Sequence, residues 1–223
     1  MSRPTPRPHA VTGTATTRHD PAPADLPQQL RDALAAALMA FAADPGPDAQ
    51  PLRIARSPRP IAPAQLAAAH AGSAQQRQQA RATYERCLHH YRTIVRPGDL
   101  ALATDDVGAA LSHFAAANIA VLQGVQATPA MRTRLERQLG VIVRASPAWQ
   151  SATLRDRQAY AEQLGILSVL ITQYAALAPR QGQPAIDNVR RGARGYLRQL
   201  LGIDPDALAL GPDGLTLREA QAA

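Results

Sequence analysis

The stretch LGILSVLI, Leu164 to Ile171, decides the fold. It lies inside a segment that opens with a helix-capping residue, Thr153, and continues without a strong break to about Leu177. A helix on a protein surface carries apolar side chains along one stripe, whereas these residues are apolar on every side. Such a helix must be surrounded by others. The stretch therefore predicts a mainly α fold, a bundle of five to seven helices whose central apolar member spans about 153–177.

Working outward from it, the downstream segment Ala185 to Leu201 places Ile186, Val189, Tyr196, Leu197 and Leu200 on one face, with Gly202 as its C′ residue. LALGPDGLTL, Leu208 to Leu217, reads as a small C-terminal β-hairpin, with Pro212 at i+1 and Gly214 at i+3 of a type I turn. Residues 218–223 are a tail. Upstream, Ser146-Pro147 and Thr128-Pro129 are N-cap and first-turn pairs. The second opens a helix that buries Met131, Leu135, Leu139 and Ile142. Before it, Thr104 or Asp105 is expected to cap a helix striped by Val107, Leu111, Phe114, Asn118 and Val121 and ended by Gly124. A long helix from about Pro63 to Val95, broken near Gly72, has Ala80, Tyr84, Leu88, Tyr91 and Val95 on one face beside Cys87. The helical domain thus runs from 63 to 217.

The N-terminal quarter differs. Residues 1–24 are rich in Pro and Thr with no apolar periodicity, the composition of a disordered tail. Leu26, Leu30, Leu34, Leu38 and Phe41 then form an amphipathic stripe within residues 25–43, with Asp25 as N-cap. Residues 44–62 read as a Pro-rich linker containing a short strand at Leu52 to Ala55.

The chain has 223 residues, 24 arginines, no lysine and 47 alanines. Arginine alone in place of a Lys/Arg mixture, with so much alanine, reads as the coding bias of a GC-rich bacterial genome rather than as a polyanion-binding surface. The formal net charge of +7 is modest for this length. The single Cys87 excludes an internal disulfide and a Cys-rich zinc site. Apolar runs fall short of the ~18 residues that span a bilayer, so a soluble protein is expected.

Chemistry-bearing residues are dispersed. Cys87 and His89 stand about 200° apart on a helix and cannot converge on one ion, and Glu85 is expected to pair with His89 four residues on. His113 lies next to Phe114, and Asn118 lies one turn beyond Phe114 on the stripe, where a buried amide is expected to satisfy a neighbouring backbone group or another side chain. Asp105 and Asp106 are read as carboxylates meeting a helix dipole rather than as a metal pair. Gly192 and Gly195, in RRGARG, are expected to permit close helix packing. Arg190, Arg191, Arg194 and Arg198 form a basic stripe, the one anion-binding candidate, with no interleaved aromatic and no nucleic-acid-binding signature beside it. There is no GxSxG, Gly-rich phosphate loop or HExxH. No catalytic residue, metal ligand or cofactor is predicted. The expectation is a non-enzymatic protein acting through an unknown protein partner, the alternatives being anion or nucleic-acid binding through the Arg stripe, and export after cleavage of the N-terminal region.

DDVGAALSHFAAANIAVLQG (Asp105 to Gly124), DRQAYAEQLGILSVLI (Asp156 to Ile171) and YLRQLLGIDPDALALGPDGLTL (Tyr196 to Leu217), together with LRIARSP (Leu52 to Pro58), resemble an uncharacterised, mostly proteobacterial family of helical proteins classed as a domain of unknown function. The resemblance covers about residues 50–217 and implies a fold without assigning a site. Many members of that family begin with a secretory signal, which this chain lacks at its terminus. ALAAALMAFAA, Ala33 to Ala43, ends in the A-x-A pattern Ala40-Phe41-Ala42 and sits where such a signal would end. Three readings stand for it: a folded amphipathic helix in a cytoplasmic protein, a cleaved export signal, or part of a Thr/Pro-rich leader for a specialised secretion machine.

Overall fold

A computed structural model describes residues 25–40 and 50–218. The predicted tail at 1–24, residues 41–49 with the first part of the predicted 44–62 linker, and the last five residues lie outside the described residues, as do Phe41 and Ala42 of the A-x-A pattern. The chain runs α1 (Leu26–Met39), β1 (Arg53–Ala55), α2 (Ala62–Ala69), α3 (Ala74–His90), a π-helical turn (Tyr91–Val95), α4 (Pro97–Ala101), β2 (Thr104–Asp106), α5 (Val107–Gln123), α6 (Pro129–Ala145), α7 (Pro147–Ser151), α8 (Leu154–Gln181) and α9 (Gln183–Leu201). It closes with β3 (Leu208–Gly211) and β4 (Gly214–Leu217). Six of these helices, α1, α3, α5, α6, α8 and α9, have 14 or more residues, as the apolar periodicity requires.

The predicted apolar helix is central. α8 packs against α5, α9, α3 and α2, with Leu164, Ile166, Val169, Leu170 and Ile171 buried. By length and composition it would also pass as a membrane-crossing helix, which the sequence reading did not anticipate, but more than half of its most apolar window is buried inside the bundle. α5 shares the centre with it, packing on α6, α8 and α9. α1 lies on α9, α6 and α7, and its Leu30 and Leu34 are fully buried. α1 is thus amphipathic, with its leucine stripe turned into the bundle. Asp25, Thr128 and Thr153 accept from the backbone N–H three residues on, as N-caps do. Gly202 ends α9 at φ +66. Gly214 follows the two-residue hairpin loop at φ +94, and a Cβ there would come within 2.5 Å of Gln138 Oε1. Gln138 instead exchanges two hydrogen bonds of 2.8 Å with Leu215, fastening the hairpin to α6.

The segment 63–95 is broken at residues 70–73, around Gly72 as expected. Other expectations are corrected: its last turn is π-helical, with Arg96 N–H donating to Tyr91 O at 2.8 Å. Pro97 begins the one-turn helix α4. Thr104 and Asp105 do not cap α5. They pair in β2 with β1, antiparallel, with Ile54 opposite Asp105, and Asp106 is the N-cap. A three-residue strand carries too little periodicity to be legible before its partner is known. α8 continues through Pro179 to Gln181. Glu85 pairs with Arg81 at 2.9 Å rather than with His89. A Cβ on Gly192 or Gly195 would meet nothing within 4 Å, so neither serves close packing.

Candidate functional site

One sealed polar network and several surface openings stand out among the described residues. The network comes first, because it fixes the elements around one of the openings. Successive side chains of a strand point to opposite sides. Accordingly Asp105 turns towards Arg92 while Asp106 turns towards α6. The Arg92 Nε and Nη2 groups donate to Asp105 at 3.1 and 2.7 Å, and Nη2 also reaches Glu162 at 2.9 Å. Arg56 adds a contact to Asp105 at 3.3 Å.

Glu162 and Gln158 share one face of α8 at i, i+4 spacing, and Gln158 Nε2 donates to Glu162 at 2.8 Å. The other oxygen of Glu162 accepts from the backbone N–H groups of Ile61 and Ala62 at 2.7 and 2.9 Å, at the start of α2. Gln158 accepts from Ser57 N–H at 3.0 Å. Burial opposes the charge of Arg92, but the hydrogen bonds and charges of Asp105 and Glu162 outweigh it and hold the guanidinium above its ordinary pKa. Each carboxylate faces its cation, so the cluster fastens β1, β2, α2 and the π turn to α8. A second group, Arg96 with Asp106 at 3.7 Å and Glu136 at 3.4 Å, links the same region to α6.

One opening is a cleft of about 510 Å³ between the end of α3, α5, the start of α6 and α8. Its wall is small and apolar, with Ala116, Ala117, Ala120 and Val121 from α5 facing Val169 and Ala175 from α8. His113 and Arg132 stand close together in it, and His90, Gln126, Ser168, Thr172 and Gln173 add further polar groups to the lining. The His113 ring meets Tyr91 edge to face with centroids 5.9 Å apart. Burial, with smaller contributions from Arg96 and Arg132, lowers its pKa to about 4, so the imidazole is neutral at pH 7. Arg132 donates to Ala127 O at 2.5 Å, and among the described residues no carboxylate pairs with it. None of the residues lining the cleft is acidic.

Another opening is a groove of about 290 Å³ where α8 and α9 fold back on each other at Gly182. Ile171, Tyr174 and Leu177 line it from α8, and Val189, Gly192 and Tyr196 from α9. Tyr174 and Leu177 are 55% and 46% exposed and stand one turn apart, so that they place a joint apolar surface beside the groove.

The residues singled out in the sequence do not assemble. Arg194 is held by Asp206 at 2.5 Å and Asp204 at 3.8 Å, and Arg198 by Asp204 at 3.4 Å. Arg191 donates to Asn188 on its own helix. Only part of the expected basic stripe, with Arg190, therefore presents unneutralised charge. Cys87 is buried, and burial, slightly countered by Arg86, pushes its thiol pKa up. His89 and His90 are exposed, and among the described residues no three of His, Cys, Asp and Glu could hold a metal ion. Asn118 Nδ2 donates to Phe114 O at 2.7 Å, the backbone role expected of it, while its Oδ1 is buried without a partner. Sequence reasoning missed Arg92, Glu162, Gln158 and Arg132. For Glu162 a signal existed: YAEQLGIL puts a carboxylate one turn from a stretch that must be buried, and such a group needs a cation.

A family model described as a family of unknown function, DUF6683, matches residues 11–218. The chain belongs to this family. Neither a curated protein nor a solved structure matches it. For this DUF6683 member the match extends well upstream of the resemblance at 50–217 and takes in α1.

Proposed function

We propose that this DUF6683 protein is non-enzymatic and works by taking an amphipathic helix of a protein partner into the groove between α8 and α9. The observation that carries the reading is the exposure of Tyr174 and Leu177 beside a glycine, Gly192, whose missing side chain leaves the groove open. Between Ile171 and Gln181 the groove follows ten residues of helix, about 15 Å at 1.5 Å per residue, or nearly three turns of a partner. The chain's net charge of +7 favours a partner with acidic flanks.

The non-enzymatic part draws support from the state of the reactive groups. The only thiol is buried with a raised pKa, and the Arg92, Asp105 and Glu162 charges are committed to one another. Nucleic-acid binding through Arg190, Arg191, Arg194 and Arg198 is weakened by the acidic partners of Arg194 and Arg198.

A photoreactive residue at position 177 in native-host cells tests this. We expect a single defined adduct, absent with the same residue at Arg137 on α6 and lost in Gly192→Leu, which fills the groove. An adduct that survives Gly192→Leu, or the absence of any adduct at 177, would overturn the reading.

A further inference from the structure

We propose that the cleft formed by α3, α5, α6 and α8 is a binding site for a small amphiphilic monocarboxylate, its carboxylate on Arg132 and His113 and its apolar tail along Ala116, Ala117, Ala120 and Val169. Four features of the cleft lead there. Its volume of about 510 Å³ falls within the ~300–1,000 Å³ of small-molecule sites. Alanines on α5 keep it open, since any larger side chain at 117 or 120 would occupy it. Within the cleft Arg132 spends one N–H on Ala127 O and has no carboxylate partner among the described residues, so a fork of donors remains for a planar anion. Neutral His113 adds a donor without a second charge, which matches a ligand of charge −1 better than one of charge −2. Thr172 and Ser168 donate their hydroxyls to backbone carbonyls of α8 at 2.8 and 2.9 Å and present only acceptor lone pairs, so they do not compete for the carboxylate. The cleft and the α8/α9 groove share helix α8 but use different sides of it, Val169, Thr172 and Ala175 for the cleft and Ile171, Tyr174 and Leu177 for the groove.

Sodium octanoate, 1-octanol and inorganic phosphate, titrated separately into the full chain by calorimetry, distinguish the possibilities. His113 ring resonances followed by NMR report the location. We expect octanoate to bind with a Kd below about 1 mM and at least ~10-fold more tightly than octanol, shifting the His113 signals. Arg132→Gln should weaken octanoate ~10-fold and leave octanol unchanged, and Ala117→Leu should abolish binding of both. Ala120→Leu serves the same purpose should Ala117→Leu unfold. Equal binding of octanoate and octanol overturns the proposal, as does octanoate binding indifferent to Arg132→Gln. Displacement of octanoate by equimolar phosphate would reveal a bare anion site and overturn it too.

Discussion

Replacing Glu162 by Gln keeps the shape of the side chain and removes its charge. The consequence can be worked from the four donors it faces. Arg92 Nη2 and Gln158 Nε2 point at one carboxylate oxygen, and Ile61 N–H and Ala62 N–H point at the other. Whichever way the amide turns, its NH2 group faces two donors, and two hydrogen bonds are replaced by repulsive contacts. Arg92 also loses one of its two buried counter-charges. The Glu162 side chain is fully buried, so water cannot enter to compensate. Removing one partner of a buried pair costs about 3–5 kcal/mol, a large share of the ~5–15 kcal/mol that holds a typical domain together. At roughly 2–4 °C per kcal/mol for a chain of this size, Tm should fall by about 6–20 °C. Urea unfolding followed by circular dichroism measures the change directly. Glu85→Gln is the control, because its ion pair with Arg81 is half exposed and is worth below about 0.5 kcal/mol. If Glu162→Gln lies within about 1 kcal/mol of the parent, or matches Glu85→Gln, the network does not fasten α2 and the two strands to α8, and the reasoning fails.

Two further outcomes follow from single positions. A methyl added at Gly165 would sit 2.8 Å from Cδ1 and 3.0 Å from Cγ of Tyr91. Gly165→Ala should therefore lose about 1–3 kcal/mol through overpacking, whereas Gly192→Ala, with nothing within 4 Å, should gain up to about 1 kcal/mol from helix propensity. Equilibrium unfolding of the pair checks the sign of each. His113, with its pKa lowered to about 4, is neutral in the folded state and takes up a proton more readily when unfolded. Its contribution to stability is therefore full above the unfolded pKa of about 6.5 and is lost as pH falls towards the folded value. Between pH 8 and pH 5 the loss should be about 2 kcal/mol. The other described histidines are exposed, so His113→Asn should flatten this slope, and an unchanged slope would contradict the burial argument.

What the sequence made legible was whatever repeats with a helical period. The apolar centre of α8, the Leu30, Leu34, Leu38 stripe of α1 and the cap-plus-Pro start of α6 each state their structure locally. The hairpin was legible for a different reason, because Pro212 and Gly214 impose a turn geometry of their own. β2 was not, since Asp105 and Asp106 acquire strand geometry only by pairing with Arg53 and Ile54, about fifty residues away. The same distance hid the polar network. Arg92, Asp105 and Glu162 come from three segments separated by 13 and 57 positions, and nothing local marks them as partners. The groove was concealed by a sound general rule applied at the wrong place: glycine inside a helix commonly signals close packing, and at Gly192 the adjacent helix does not come close.

The alanine content that built the bundle also accounts for the cleft and the groove. Small residues let α5 and α8 lie side by side, and Gly165 admits the Tyr91 ring against α8, yet the same residues cannot fill space where the helices diverge. Along its C-terminal half α5 offers Ala116, Ala117, Ala120 and Val121 to the cleft, and with only two phenylalanines and one tryptophan in the chain no large aromatic closes it. Filling it with larger apolar side chains would bury more apolar surface and add stability. Leucine at 117 or 120 would be a single step away in composition and would fill the gap at once. A bundle shaped by stability alone would be expected to have taken that step. The persistence of an open, alanine-walled cleft with an uncommitted arginine in its lining is therefore better explained by an occupant than by the packing of the chain itself.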